Sequence, residues 1–244
     1  MTRAWLRFFR VVNLPTVPGD VLVGAAAVLC GGHFLTSGQE TASPLALVAA
    51  CVAGVLIYMF GLADNDIVGA ATDADRPIPE GCISLRAARI ARGLCLFGAM
   101  ISGAVANLPP AWWIAAFALA VTVVVYNRTK WCFAMGLCRG LNVACGGAVF
   151  CVSLTSGQET AFPVLLSACI SLWTLYIAAV TKYSEGEDLD PEKKRRVGFL
   201  IGAIVYLQLI ALIVLYVRPL LIAGAVLLVV LRLMKRLLPE VRAS

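Results

Sequence analysis

Between Gly61 and Gly81 the chain reads GLADNDIVGAATDADRPIPEG, a dense acidic stretch at the end of an apolar run. Asn65, Asp66, Gly69 and Asp73 fall at helix-compatible spacing, and Asp66 and Asp73 are two turns apart on one face. Pro77 and Pro79 then stop the helix. A second acidic stretch, TKYSEGEDLDPEKK, offers Glu185, Glu187 and Asp188, with Lys182 one turn before Glu185. Two carboxylate clusters facing each other across a helical bundle form a divalent-cation site. Such oxygen ligands suit Mg²⁺, which binds through a few carboxylates plus substrate phosphates. The chemistry expected is therefore metal-assisted handling of a diphosphate. The plainer alternative is a pair of solvated loops flanking helices.

Basic and amide side chains could complete such a site. VVVYNRTKW brings Tyr126, Asn127, Arg128 and Lys130 to the end of one apolar run. MGLCRGLN puts Arg139 and Asn142 near the start of the next. Arginine presents a planar fork that matches phosphate oxygens. A charged or amide group at membrane depth is costly unless it faces a polar cavity, which favours a functional place for Arg139 and Asn142. Arg128 and Lys130 could instead reach lipid headgroups.

The elements that must position these groups are membrane helices. The 244 residues have 61% hydrophobic content, 14% charged residues and a mean hydropathy of +0.89. Apolar runs of about 20 residues, the length that crosses a bilayer, recur along the chain. About eight helices are expected, near 11–34, 44–63, 85–106, 109–127, 134–154, 161–181, 197–217 and 219–237. Ser43-Pro44, Pro109-Pro110 and Phe162-Pro163 mark three of the starts. With eight spans, all of the 20 Lys and Arg residues except Arg218 lie on the side of the two termini, which the positive-inside rule makes cytoplasmic. The spans show no His or acid at mid-depth, which argues against an ion-coupled transporter.

LTSGQETASP at 35–44 recurs as LTSGQETAFP at 154–163, an offset of 119. Two parallel four-helix halves, about 11–127 and 134–237, are expected from it. Two convergent polar loops are the alternative. The same offset carries Asp66 onto Glu185, so the two acidic clusters stand at equivalent helix ends.

The net charge of +6 lies in membrane-flanking loops rather than on one soluble face, so nucleic acid is not an expected partner. The nine cysteines include no CxxC pair and mostly sit in apolar runs, which argues against a disulfide framework. The single histidine, His33, is a poor metal ligand. The basic start MTRAWLRFFRVV lacks a following cleavage site and is read as part of the mature protein.

NDIVGAATDADRPIPEG resembles the signature of the UbiA superfamily of intramembrane prenyltransferases, and VVVYNRTKW resembles the tyrosine-plus-lysine end of its fourth helix. RVVNLPTVPGDVLVGAA and MGLCRGLNV look most like the EboC-like branch. The resemblance implies an all-helical bundle whose central cavity is closed by a cytoplasmic cap. In it, Mg²⁺ and two acidic motifs hold a prenyl diphosphate, the allylic C–O bond ionises, and an aromatic, quinone-precursor or lipid acceptor captures the prenyl group. By position, Asn65, Asp66 and Asp73 match the first motif, Arg76 the RPIP arginine, Tyr126 and Lys130 the phosphate side, and Glu185 the second motif. The implied metal set is Asn65, Asp66, Asp73, Glu185 and Asp188. Asn65, Arg76, Tyr126, Lys130, Arg139, Asn142 and Lys182 would hold diphosphate, and Asp66, Asp73 and Glu185 would be catalytic.

The sequence departs from that pattern at Gly69, where the middle acid should stand. The spacer before Arg76 is short, and the second motif has an atypical form. A non-catalytic bundle that binds or helps move an isoprenoid or aromatic metabolite is the competing expectation. A bacterial cytoplasmic membrane is the expected location.

Overall fold

A computed structural model of the chain describes residues 2–33, 43–74, 76–150, 162–186, 190–215 and 217–237. The described residues form helices and no strand. A short helix, α1 (Thr2–Phe8), leads through a 3₁₀ turn at Val11–Asn13 into α2 (Thr16–His33). Then come α3 (Pro44–Val68), α4 (Leu85–Val105), α5 (Pro110–Thr129), α6 (Cys132–Ala148), α7 (Phe162–Ser184), α8 (Pro191–Val214) and α9 (Arg218–Leu237). Helices α2 to α9 stand in order at the expected segments. Six of them, α2, α3, α4, α5, α7 and α8, are long and apolar enough to cross a membrane. Helix α6 has 17 residues, and the last turns of α9 carry Arg232, Lys235 and Arg236. The repeated segments around 35–42 and 154–161 lie outside the described residues.

Local chemistry sets the helix starts. The Ser43 side chain accepts from Leu45 N with Pro44 at the first position of α3, and Ser84 accepts from Ala87 N at α4. Asp190 accepts from Glu192 N and Lys193 N and is followed by Pro191. That cap starts α8 at Pro191, six residues before the expected start, so the basic run Lys193–Arg196 is helical. Helix α3 also runs past its expected end, to Val68, and carries the Asn65-Asp66 pair on the helix itself.

Helices α2 and α6 are the centre of the bundle. Both pack against α3 and both pack against α7. They approach closely because glycine faces backbone at their crossing. A Cβ on Gly24 would lie 1.8 Å from Val143 O, and one on Gly146 would lie 1.9 Å from Val21 O. Small residues that let backbones meet are a recurrent way for membrane helices to associate, since lipid tails are as apolar as leucine. A carbonyl cannot turn aside as a flexible side chain can, so no larger residue fits. Gly146→Leu is therefore expected to cost about 3 kcal/mol or more. Gly198→Ala, where a Cβ meets nothing within 4 Å, should be tolerated. Thermal unfolding in detergent distinguishes the two: a large drop for the first and none for the second.

Candidate active site

Asp66 lies at the end of α3 and is 3% exposed. An ionised carboxylate so buried needs cations or donors around it. Arg76 supplies one: its Nη1 bonds Asp66 Oδ1, while its Nη2 lies 2.9 Å from Asp73 Oδ2. One guanidinium thus bridges both acids. Arg10 Nη2 lies 3.9 Å from the same Asp66 oxygen. Nearby, Lys130 Nζ donates to Asn65 Oδ1 and stands 5.6 Å over the Tyr126 ring. Lys130 ends α5 in the left-handed region, at φ 54°, which turns its side chain back toward α3. Burial pushes the Lys130 ammonium below its ordinary value, and the neighbouring Arg76 and Arg10 charges push it further the same way.

Gly69 explains how Asp73 reaches this group. A Cβ on Gly69 would sit 2.5 Å from Asp73 Oδ2. The Asp73 carboxylate therefore lies over the bare α-carbon, in the space that a side chain at 69 would take. The 3₁₀ turn at Gly69–Ala71 and the bond from Asp73 N to Gly69 O fold the chain back to put it there. The short spacer before Arg76 then lets that arginine reach both acids. Three cations, Arg10, Arg76 and Lys130, stand around two carboxylates, Asp66 and Asp73. The cluster has a surplus of positive charge that suits an anion.

Asp64 is a second buried acid on α3, at 1% exposure, and the sequence reading passed over it. Two residues from Asp66, it points about 200° away round the helix. Arg92 Nη1 lies 2.8 Å from its Oδ1, and Asn127 Nδ2 donates to its Oδ2 at 3.0 Å. Arg128 lies 3.8 Å away. Asp64 thus ties α3 to α4 and α5, and its neighbour Asp66 is left to face the cluster. The alternating faces of the DND triplet were the available signal.

Helix α1 covers the cluster from one side. Phe8 packs with Ala63, Ile83 and Ala88, and Trp5 and Phe9 stack beside it. Arg7 makes a two-pronged bond to Glu80 at 2.9 and 3.0 Å, and the Arg7 guanidinium holds the Glu80 carboxyl below its usual range. These contacts place Arg10 beside Asp66. The sequence reading gave α1 no part in the site.

Glu185 does not join this group. Its carboxylate is 61% exposed and pairs with Lys182 at 2.8 Å, and Lys193 Nζ donates to its backbone carbonyl at 2.6 Å. Among the described residues no three acids, cysteines or histidines are placed to share a metal ion. Asp188 and Glu187 lie outside the described residues. The described residues thus bring Asp66 and Asp73 together and leave Glu185 apart from them.

Arg139 and Asn142 also stand elsewhere. Arg139 Nε lies 2.9 Å from Oδ2 of Asp20, which is fully buried. Asn142 donates to Asp20 Oδ2 at 3.2 Å and to Val17 O at 2.9 Å. Trp173 Nε1 and Gln208 Nε2 donate to Asp20 Oδ1 at 2.9 and 2.6 Å. This layer joins α2, α6, α7 and α8. It is level with Gly54, whose Cβ would meet Asn142 Oδ1 at 2.8 Å. Gly54 precedes Asp66 by twelve residues of one helix, so the layer lies roughly 18 Å deeper than the acid–arginine cluster. At that depth Arg139 and Asn142 serve Asp20 rather than the cluster. Asp20 also overturns the expectation that the spans carry no acid at mid-depth.

The comparisons with known proteins agree with this helical architecture. A profile of the UbiA prenyltransferase family matches residues 25–239. No curated protein matches the chain. The fold is similar to a solved structure of digeranylgeranylglyceryl phosphate synthase, at 17% identity and a TM-score of 0.58, covering 99% of this chain and 91% of that one. It is similar also to a UbiA homologue from Archaeoglobus fulgidus bound to DMAPP and Mg²⁺, at 13% identity and a TM-score of 0.55. That match covers 97% of this chain and 87% of the other. The same homologue bound to GPP and Mg²⁺ matches at 14% identity and a TM-score of 0.54, over 97% and 87% of the two chains. With the profile spanning all but the first helix and part of the second, this multi-pass membrane chain belongs to the UbiA prenyltransferase family.

Proposed function

We propose that the chain transfers a prenyl group from a prenyl diphosphate to an aromatic, quinone-precursor or lipid acceptor, with Mg²⁺ at the Asp66–Asp73 pair. The observation that carries the reading is Arg76, whose single guanidinium bridges both carboxylates. Two acids that converge on one cation offer oxygens to a metal in the same place, and Asn65 Oδ1 adds a neutral oxygen nearby. Mg²⁺ needs few protein carboxylates when substrate phosphates and waters complete its shell, so this donor set fits it. For both acids to share an ion, Arg76 has to give up its two contacts. Bound there, Mg²⁺ would draw charge onto the leaving diphosphate and ease heterolysis of the allylic C–O bond.

The remaining roles follow from the chain's own groups. Arg10, Arg76 and Lys130 supply donors and positive charge for phosphate oxygens. A bound diphosphate would offset the Arg76 and Arg10 repulsion that adds to the effect of burial on Lys130. Tyr126 holds Lys130 over its ring and closes the apolar side of the group. The apolar interior beneath would house the isoprenoid chain. Gly69 keeps open the position that the Asp73 carboxylate takes. Lys182, at the end of α7, and Glu185 just past it pair with each other, and would join the site only by giving up that pair. Both termini would share the basic, cytoplasmic side with the site.

A second reading keeps the fold and drops the catalysis: a bundle that binds or helps move an isoprenoid or aromatic metabolite. The exposed, lysine-paired Glu185 favours it, because one acidic cluster then lacks its partner.

Binding of a non-hydrolysable farnesyl diphosphate analogue to the purified protein tests the site. Binding is expected to require Mg²⁺ and to weaken at least about tenfold in Asp66→Asn, a loss of about 1.4 kcal/mol. Binding indifferent to both metal and Asp66 would favour the non-catalytic reading. Arg139→Leu separates the deep layer from the site. Leaving Asp20 buried without its cation should cost about 3–5 kcal/mol of stability. Analogue affinity, measured below the variant's unfolding transition, should stay within about twofold of wild type. A tenfold loss of affinity in a stable Arg139→Leu protein would return Arg139 to the phosphate site.

A further inference from the structure

Away from the acid–arginine cluster, the end of α7 and the first turns of α8 enclose an open cavity of about 560 Å³. Tyr183, Arg195, Arg196, Phe199 and Leu200 line it. Its walls are almost wholly apolar, so the arginines line it with their methylene stems. Below it, Tyr176 Oη donates to Leu200 O at 2.8 Å and fixes the spacing of the two helices. Phe199 is 75% exposed, which turns the cavity outward from the bundle. Arg195 and Arg196 lie within two turns of the start of a membrane-length helix, where a chain passes from headgroups into hydrocarbon.

Among the described residues the charges at the rim are poorly matched. Arg195 forms no ion pair or hydrogen bond with a described residue. Arg196 pairs with Glu192 at 3.2 Å, but both side chains are mostly exposed, a kind of pair that contributes little. Lys193 Nζ stands 5.4 Å over the Tyr183 ring, adding a third cation beside the opening. An apolar groove at the level of the headgroups with free guanidinium charge at its mouth matches a molecule with an anionic head and an apolar tail.

We infer that this groove binds an anionic phospholipid of the surrounding bilayer. The phosphate meets Arg195 and Arg196, and an acyl chain lies along Phe199 and Leu200. A bilayer lipid fits better than a soluble anion, because the groove opens on the outer face of the bundle and its walls are apolar. Basic pockets between membrane helices at this level are suited to such headgroups. None of the five lining residues forms a hydrogen bond or ion pair with Asp66, Asp73 or Arg76, so the groove stands apart from the acid–arginine cluster.

Native mass spectrometry of the full chain in detergent, titrated with phosphatidylglycerol or phosphatidylcholine, tests it. Wild type should retain phosphatidylglycerol at least about fivefold over phosphatidylcholine, and Arg195→Gln with Arg196→Gln should abolish that preference. Arg86→Gln with Arg89→Gln removes the same charge from α4 without touching the groove and should leave the preference intact. Equal retention of the two lipids, or a preference that survives in the groove variant or falls equally in the α4 variant, would overturn the inference. Displacement of phosphatidylglycerol by equimolar geranyl diphosphate would overturn it too, by making the groove a substrate site. Displacement by inorganic phosphate alone would show a simple anion site and would count against a lipid.

Discussion

A carboxylate buried in an apolar bundle has to be met by donors from several helices at once, and Asp20 shows how far that requirement shapes this fold. Its two oxygens receive Arg139, Asn142, Trp173 and Gln208, so one charge joins α2, α6, α7 and α8. Hydrocarbon offers no substitute partner for any of these groups. Removing one member leaves the others desolvated and unmatched, so they hold as a set. The pair lies where α2 and α6 are already drawn together by Gly24 and Gly146. Close packing and the buried pair therefore fix the same two central helices, and α3 and α7 are laid against them.

The same rule operates twice more at the end of α3, with different results. Asp64 is saturated by Arg92 and Asn127 and has a structural place. Asp66 shares its arginine with Asp73, and more cations surround the two acids than they can neutralise. The difference between a fastening and a site is whether two acids converge. A lone acid held by its own donors offers a metal one carboxylate, whereas two convergent acids ringed by cations leave room for both a metal and an anion. Burial of Asp64 in its own network keeps it from competing for Arg76.

Much of the architecture was legible because helix punctuation is local. Ser43-Pro44 and Pro109-Pro110 mark the observed starts of α3 and α5 closely, and apolar run length locates the helices. The Asn65, Asp66, Arg76, Tyr126 and Lys130 group was legible from its motif, and the structure brings those side chains together. What escaped notice depends on tertiary pairing. Asp20 falls inside the first expected span as one isolated acid, and only its meeting with Arg139, 119 residues away, shows it to be a buried hub. Arg139 and Asn142 were assigned by the same logic to phosphate, since a costly polar residue needs a partner; the partner is Asp20. Gly69 looked like a lost acid, and the fold shows its space taken by the Asp73 carboxylate. The short α1 also lacks the length of a span, although its aromatic face positions Arg10.

Prenyl transfer at this site requires one cation position between Asp66 and Asp73. Anomalous scattering from crystals of the protein grown with Mn²⁺ in place of Mg²⁺ and a non-hydrolysable prenyl diphosphate analogue would locate it. A manganese peak is expected within coordination distance of both carboxylates, with the Arg76 guanidinium turned from them toward the diphosphate. A peak elsewhere, or Arg76 still bridging the two acids beside a bound analogue, would contradict it.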